Sequence, residues 1–162
     1  LEKLLQPELP GDVTRSAIEL VEAADYLESI GDLVDKEMIP LYLRHAARET
    51  RISDEARTRL QALGAAVCES LRLALRSVAD ADPARAQSVL EAKSAVRRLE
   101  RVTIDFERDE LTAETLRHLL PNALERELTE SLRRTFSLVR RFVRVGNGLL
   151  RTGDADEFER EE

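Results

Sequence analysis

The chain has 162 residues and a net charge of −7; 35% of its residues are charged, 4% are aromatic, and tryptophan is absent. This composition is typical of one all-α domain with long, surface-rich helices, and the negative charge argues against nucleic-acid binding, which uses a basic surface. The single cysteine excludes an internal disulfide. With no signal peptide and no apolar run near the ~20 residues that cross a bilayer, the sequence predicts a soluble domain. The single cysteine is compatible with a cytoplasmic location.

The first long helix is predicted from about Val13 to Glu49, with Asp12 as its N-cap and Pro40 as a kink or break. Its apolar residues recur at alternating spacings of three and four, which is the spacing of one helix face. They are Ala17, Leu20, Ala24, Leu27, Gly31, Val34 and Met38. The pattern predicts that this stripe packs against other helices and that Leu27 is fully buried.

The second and third helices have recognisable starts. Ser53 is predicted to cap the second helix, and Asp82 followed by Pro83 is predicted to open the third, which continues to about Arg108. The apolar stripe of the second helix is Ile52, Ala56, Leu60, Leu63, Val67, Leu71, Ala74 and Val78. The stripe of the third helix is Val89, Ala92, Val96, Leu99, Thr103 and Phe106.

A fourth helix is predicted after Pro121, where Asn122 and Glu125 have the spacing of a capping box. Its apolar positions are Leu128, Leu132, Phe136, Val139, Val143 and Leu150. Three glycines weaken its end, and the acidic residues beyond them are typical of disorder. The sequence therefore predicts an antiparallel helical bundle in a single domain, residues 1–153, followed by an acidic disordered tail, 154–162.

Four carboxylates flank the apolar stripe of the first helix. Asp25, Glu28, Asp32 and Asp35 recur at spacings of 3, 4 and 3, and acids at such spacings repel one another. A bound cation is one physical reason for tolerating that repulsion, because hard cations prefer oxygen ligands. Two interpretations stay open: these residues bind a divalent or trivalent metal (Mg, Ca, Mn, Fe or Zn), or they form a solvated helix edge.

No catalytic constellation is recognisable. Neither His45 nor His118 follows a glutamate at the Glu-x-x-His spacing of a di-iron carboxylate enzyme, so both are interpreted as surface residues. Cys68 lies among apolar neighbours and is interpreted as a partly buried structural thiol. We therefore do not expect an enzyme.

The fourth helix is the electrostatic opposite of the first. From Pro121 to Arg151 it carries seven arginines against three glutamates. Four of the arginines recur at spacings of 7, 4 and 7, which aligns them along one side: Arg133, Arg140, Arg144 and Arg151. Such a row can bind phosphate, an acidic partner or a lipid headgroup, or it can be a solvated face that balances the first helix.

The segment Asp25-Tyr26-Leu27-Glu28-Ser29-Ile30-Gly31-Asp32 resembles the signature of the PhoU family of phosphate regulators. Glu28 and Asp32 match the two acids of that family's Glu/Asp-x-x-x-Asp motif. The longer sequence from Ala24 to Pro40 is most similar to the PhoU-type domain at the C-terminus of bacterial sodium/phosphate cotransporters. Where a second acidic motif is expected in the third helix, this sequence has Lys93 and Arg97.

The resemblance implies a PhoU-like bundle that acts as a non-enzymatic regulatory or accessory domain in phosphate transport. It implies metal ligation by Glu28 and Asp32, with Asp25 and Asp35 beside them. It also implies a membrane phosphate transporter as partner, in cis or in trans, at the inner face of the membrane, and it allows a homo-oligomer. The alternative function is a purely structural helical adaptor with no ligand.

Overall fold

The computed structural model describes residues 11–48, 52–111 and 119–158. Its elements are α1 (Gly11–Asp32), a π-helical segment (Leu33–Met38), α2 (Ile39–Ala47), α3 (Asp54–Ala79), α4 (Pro83–Glu91), α5 (Lys93–Leu111) and α6 (Leu119–Phe158). No strand occurs in these ranges. The predicted all-α fold is therefore confirmed.

The longest helix, α6, is the element on which the molecule is built. It packs against α1, α2, α3, α4, α5 and the π-helical segment. On one side, α3, α4 and α5 pack on α6 and on one another. On the other side, α1 contacts α6 and the π-helical segment that continues it, but no other described helix. The architecture is thus a bundle of α3 to α6 with α1 attached to a single wall of it.

The directions of the helices follow from residue contacts along α6. Glu37 pairs with Arg134, and Glu19 lies beside Gly148, so α1 runs antiparallel to α6. By contrast, α3 runs parallel to α6, because its start meets the start of α6 and its end meets residue 146. Helix α5 runs antiparallel to α6, because Lys93 lies near Arg140 whereas Glu100 lies near Arg133. The helix directions therefore alternate along the chain, as the predicted antiparallel bundle requires.

The packing of α3 and α4 follows their predicted stripes. The Ser53 hydroxyl accepts a hydrogen bond from the amide of Ala56 at 3.0 Å, and Asp82 caps α4 through the amides of residues 84 and 85. The buried apolar residues include Ala56, Leu63, Val67, Ala74, Val89 and Val96. The third helix is interrupted at Ala92, which divides it into α4 and α5.

The predicted start of the fourth helix is wrong. Helix α6 begins at Leu119 and includes Pro121 in its first turn, where the backbone N–H groups have no helical partner and proline is tolerated. Glu125 therefore lies inside the helix rather than in a capping box. Its carboxylate is buried and accepts hydrogen bonds from Arg59 at 3.1 and 3.3 Å.

The glycines near the end of α6 do not end it. Gly146 is buried against Val78, and a methyl group added there would overlap with the valine side chain, so close packing compensates for the weak helix propensity. The helix continues to Phe158. The predicted tail, 154–162, thus falls partly within α6, and residues 159–162 lie outside the described residues.

The face of α1 that packs on α6 is not the predicted one. Its buried apolar residues are Ala23 and Ile30, followed by Leu33 in the π-helical segment. Leu27, predicted to be fully buried, is 37% exposed, and Leu20 is 63% exposed. The helix has two apolar faces, and the second, less regular one makes the contact within the chain.

At the predicted kink or break before Pro40 the helix is not interrupted but changes to a π-helical segment, Leu33–Met38. Proline lacks an amide hydrogen and crowds the carbonyl one turn earlier, so the ordinary helical turn cannot continue before it. The chain adopts the wider π turn instead, in which the Ile39 amide donates to the Val34 carbonyl. Asp12, predicted as the N-cap, is already inside α1, which begins at Gly11.

Candidate functional site

The apolar stripe predicted to be buried is exposed on the outer face of the first helix, except for Met38, which is half-buried. Its six exposed members and the preceding Val13 are called the α1 stripe, which ends in the π-helical segment: Val13, Ala17, Leu20, Ala24, Leu27, Gly31 and Val34. Each of these residues is exposed, and their spacings alternate between four and three, as in the seam of a coiled coil. Of the eleven large apolar side chains exposed in the described ranges, nine lie between Val13 and Leu43. Such concentration is typical of an interaction surface, whereas single exposed apolar residues are common on any protein.

The small residues of the α1 stripe recur every seven positions: Ala17, Ala24 and Gly31. A methyl group added to Gly31 would meet nothing within 4 Å. Glycine in a helix interior is less favourable than alanine by about 1 kcal/mol, and nothing inside the described chain requires it here. A second helix that approaches closely along this row would require it.

An acidic edge borders the α1 stripe. Asp25, Glu28 and Asp35 are exposed, and Asp32 is half-buried with its carboxylate bonded to the Lys36 ammonium at 2.7 Å. Asp32 raises the pKa of Lys36 through this hydrogen bond and through its charge, and Glu28 and Asp35 add to the effect. The sequence interpretation overlooked this lysine, which partly neutralises the edge.

The four carboxylates predicted as metal ligands remain on one helix edge. In the part of the chain that the structure describes, no group of three or more His, Cys, Asp or Glu side chains is arranged to hold a metal ion. Glu28 and Asp32 thus gain no third ligand from α6 or from another described helix. Metal binding at Asp25, Glu28, Asp32 and Asp35 stays a prediction.

Two clefts lie along α6 where the helical region from α1 to α2 packs against it. The first, between α2 and α6, has a volume of about 480 Å³, and the second, between the end of α1 and α6, has a volume of about 490 Å³. Both are lined by Lys36, Glu37 and Arg134, and the Glu37–Arg134 ion pair lies between them. A second ion pair, Arg44 with Glu127 at 3.8 Å, crosses the first cleft. Because these charges are already paired with each other, the clefts resemble a polar helix–helix boundary more than a ligand pocket.

The other candidate residues do not come together. His45, interpreted as a surface residue, is buried because it lies one turn after the buried Leu41. Cys68, interpreted as partly buried, is exposed because it follows the buried Val67 and is turned about 100° away from the core. His118 lies outside the described residues.

The arginines of the fourth helix do not form one uniform row. Arg133 donates to Glu130 at 2.9 Å, whereas Arg140 and Arg144 lie close to Lys93 and Arg97 of α5. Nothing is described of the Arg151 side chain. The convergence of cations from α5 and α6 could not be seen from either helix alone.

No family model, curated protein or solved structure matches this chain. None of the described helices combines the length and the apolar character needed to span a membrane.

Proposed function

We propose that this chain is a non-enzymatic regulatory or accessory domain in phosphate transport or its control, of the PhoU-like kind, and that it acts by binding a partner protein through α1. The single observation that carries the binding role is the exposed α1 stripe. The phosphate-transport context is supported by the resemblance of the segment from Asp25 to Asp32 to the PhoU signature. The proposed partner is a membrane phosphate transporter.

The surface around the α1 stripe favours a positively charged helix as its occupant. Seven-residue recurrence of small side chains suits close packing of one helix on another. The acidic edge of Asp25, Glu28 and Asp35 attracts lysines and arginines that flank the apolar face of such a helix. A second copy of α1 would bring two acidic edges together, and an anionic membrane surface would repel them.

The binding role can be tested with two designed helical peptides of about four heptads, with leucine and alanine in the core positions. One peptide carries lysine on its flanks and the other glutamate. The lysine peptide is expected to bind, and Leu20→Gln combined with Leu27→Gln should abolish binding. Leu75→Gln is the matched control, because Leu75 is exposed on α3. Equal binding of both peptides, or self-association through the α1 stripe, would overturn the proposed occupant.

The transport role needs a separate measurement in the host cell. The Leu20→Gln, Leu27→Gln variant is expected to change phosphate uptake, whereas the Leu75→Gln control leaves it unchanged. A variant that loses its partner while uptake stays normal would instead favour the alternative function, a structural helical adaptor. Crosslinking from position 20 to the transporter then identifies whether the partner is the one proposed.

The metal proposal for Glu28 and Asp32 is tested by thermal unfolding with and without millimolar Mg²⁺, Ca²⁺ or Mn²⁺. A metal that binds only the folded chain raises the midpoint in wild type. Glu28→Gln with Asp32→Asn should remove that response. Without metal the double variant loses like-charge repulsion but also the Asp32–Lys36 pair, so its midpoint should change little. A wild-type midpoint that no metal changes would leave Glu28 and Asp32 as a solvated edge.

A further inference from the structure

We infer that the groove between α5 and α6 is a binding site for a small, multiply charged oxyanion of the phosphate class. The ligands are three cationic side chains that line one cavity, Lys93 and Arg97 of α5 with Arg140 of α6. Together with Arg144, one turn further along α6, we call them the cation cluster. The site lies on the bundle side of α6 and is independent of the function proposed for α1.

The groove at the cation cluster encloses a small cavity. Its volume is about 120 Å³, and Lys93, Arg97 and Arg140 line it together with Ser137 and the ring of Phe136. A water molecule occupies about 30 Å³, so the space accommodates an ion of a few heavy atoms. Two guanidinium groups and an ammonium around such a space offer donors that fit tetrahedral oxyanions.

The cation cluster lacks the counterions that Arg133 and Arg134 of the same helix have. Arg133 pairs with Glu130, and Arg134 pairs with Glu37. Within the described ranges, no ion pair involves Lys93, Arg97, Arg140 or Arg144. The Nε of Arg140 is buried without a hydrogen-bond partner in the same part of the chain. A buried donor without an acceptor is costly, and a bound anion would satisfy it.

The side chains of the cation cluster repel one another, which lowers the pKa of two of them. Arg97, followed by Arg140 and Arg144, lowers the pKa of Lys93. Burial, with smaller contributions from Arg144 and Arg97, lowers the pKa of Arg140. These cations therefore destabilise each other's charge, and a bound anion would relieve that cost.

One acid lies at the edge of the cavity. Burial raises the pKa of Glu100, while the charges of Arg133 and Arg97 oppose that rise. Since Arg133 is already bonded to Glu130, the cavity still carries an excess of positive charge from Lys93, Arg97 and Arg140.

The test is titration of the full chain with inorganic phosphate and with pyrophosphate, followed by calorimetry. Arg140→Gln and, on the other helix, Arg97→Gln are each expected to weaken binding by about tenfold or more, which is one decade of Kd. Arg57→Gln is the matched control, because it removes the same charge from the exposed surface of α3. Circular dichroism checks that each variant keeps its helical content.

A second readout reports on the site directly. In wild type, NMR titration of Lys93 should give a pKa that rises when phosphate is bound, and Arg140→Gln should remove that response. Binding to vesicles that contain phosphatidic acid distinguishes a lipid headgroup from the free ion. If the chain binds these vesicles and pyrophosphate displaces it from them, the site is assigned to lipid headgroups. Phosphate binding that is absent, or equally weakened by Arg57→Gln, would falsify the inference.

Discussion

Alanine substitutions of two leucines, Leu20 in α1 and Leu33 in the π-helical segment that continues it, can test which face of this helix packs against α6. Leu20 is 63% exposed, so only about a third of the ~1.5–3 kcal/mol of a fully buried leucine is at stake, or about 0.5–1 kcal/mol. Leu20→Ala should therefore reduce the free energy of unfolding by no more than that, and alanine's helix propensity offsets part of it. Leu33 is 8% exposed, and Leu33→Ala should cost about 2–5 kcal/mol because it also leaves a cavity.

The measurement is urea unfolding followed by far-UV circular dichroism, at a concentration where light scattering shows a monomer. The monomer matters, because self-association through the α1 stripe would add stability that does not come from the fold. A Leu20→Ala loss above ~2 kcal/mol in the monomer would show that the α1 stripe is buried within the chain. A Leu33→Ala loss below ~1 kcal/mol would contradict the packing of the π-helical segment on α6.

Three further substitutions follow from the structure. Gly31→Ala should raise the unfolding free energy by about 0.5–1 kcal/mol in the same urea assay, because the added methyl meets nothing in the described chain. The same variant should bind the lysine peptide more weakly. Gly64→Ala, equally unobstructed on α3, should stabilise the fold without weakening peptide binding. Ala81→Gly should stabilise by about 1 kcal/mol, because Ala81 has φ of 49° and only glycine adopts this conformation freely; an unchanged thermal midpoint would count against it. Glu125→Ala should destabilise by about 3–5 kcal/mol, since it leaves the Arg59 guanidinium without its buried carboxylate, and Arg59→Met made together with Glu125→Leu should recover most of that loss.

Local signals predicted the parts of the fold that local chemistry determines. The caps at Ser53 and Asp82 occur as predicted, because each needs only a side-chain oxygen close to the first free amides of its helix. The predicted stripe of α3 faces the bundle: Ala56, Leu63, Val67 and Ala74 are buried, and its other members are half-buried. Pro121 misled the prediction because proline is compatible with both the end of one helix and the first turn of the next.

For α1 the same reasoning chose the wrong face, for a physical reason. Periodicity reports that a helix face is apolar, but it does not report whether the chain itself covers that face. The more regular of the two α1 faces, with Leu20 and Leu27, is the exposed one, and Ala23 and Ile30 make the weaker pattern that packs on α6. The cation cluster was unpredictable for a different reason, since it depends on the antiparallel register of α5 on α6.

Attachment of α1 to one wall of the bundle has a consequence for hydrogen exchange. Amides in α3 and α6, which have neighbours on several sides, should exchange only when the whole bundle unfolds. Amides in α1 should exchange sooner, because the helix can detach from α6 while the rest of the molecule stays folded. A partner bound to α1 would therefore slow amide exchange in α1 first and leave the exchange rates in α3 and α6 unchanged.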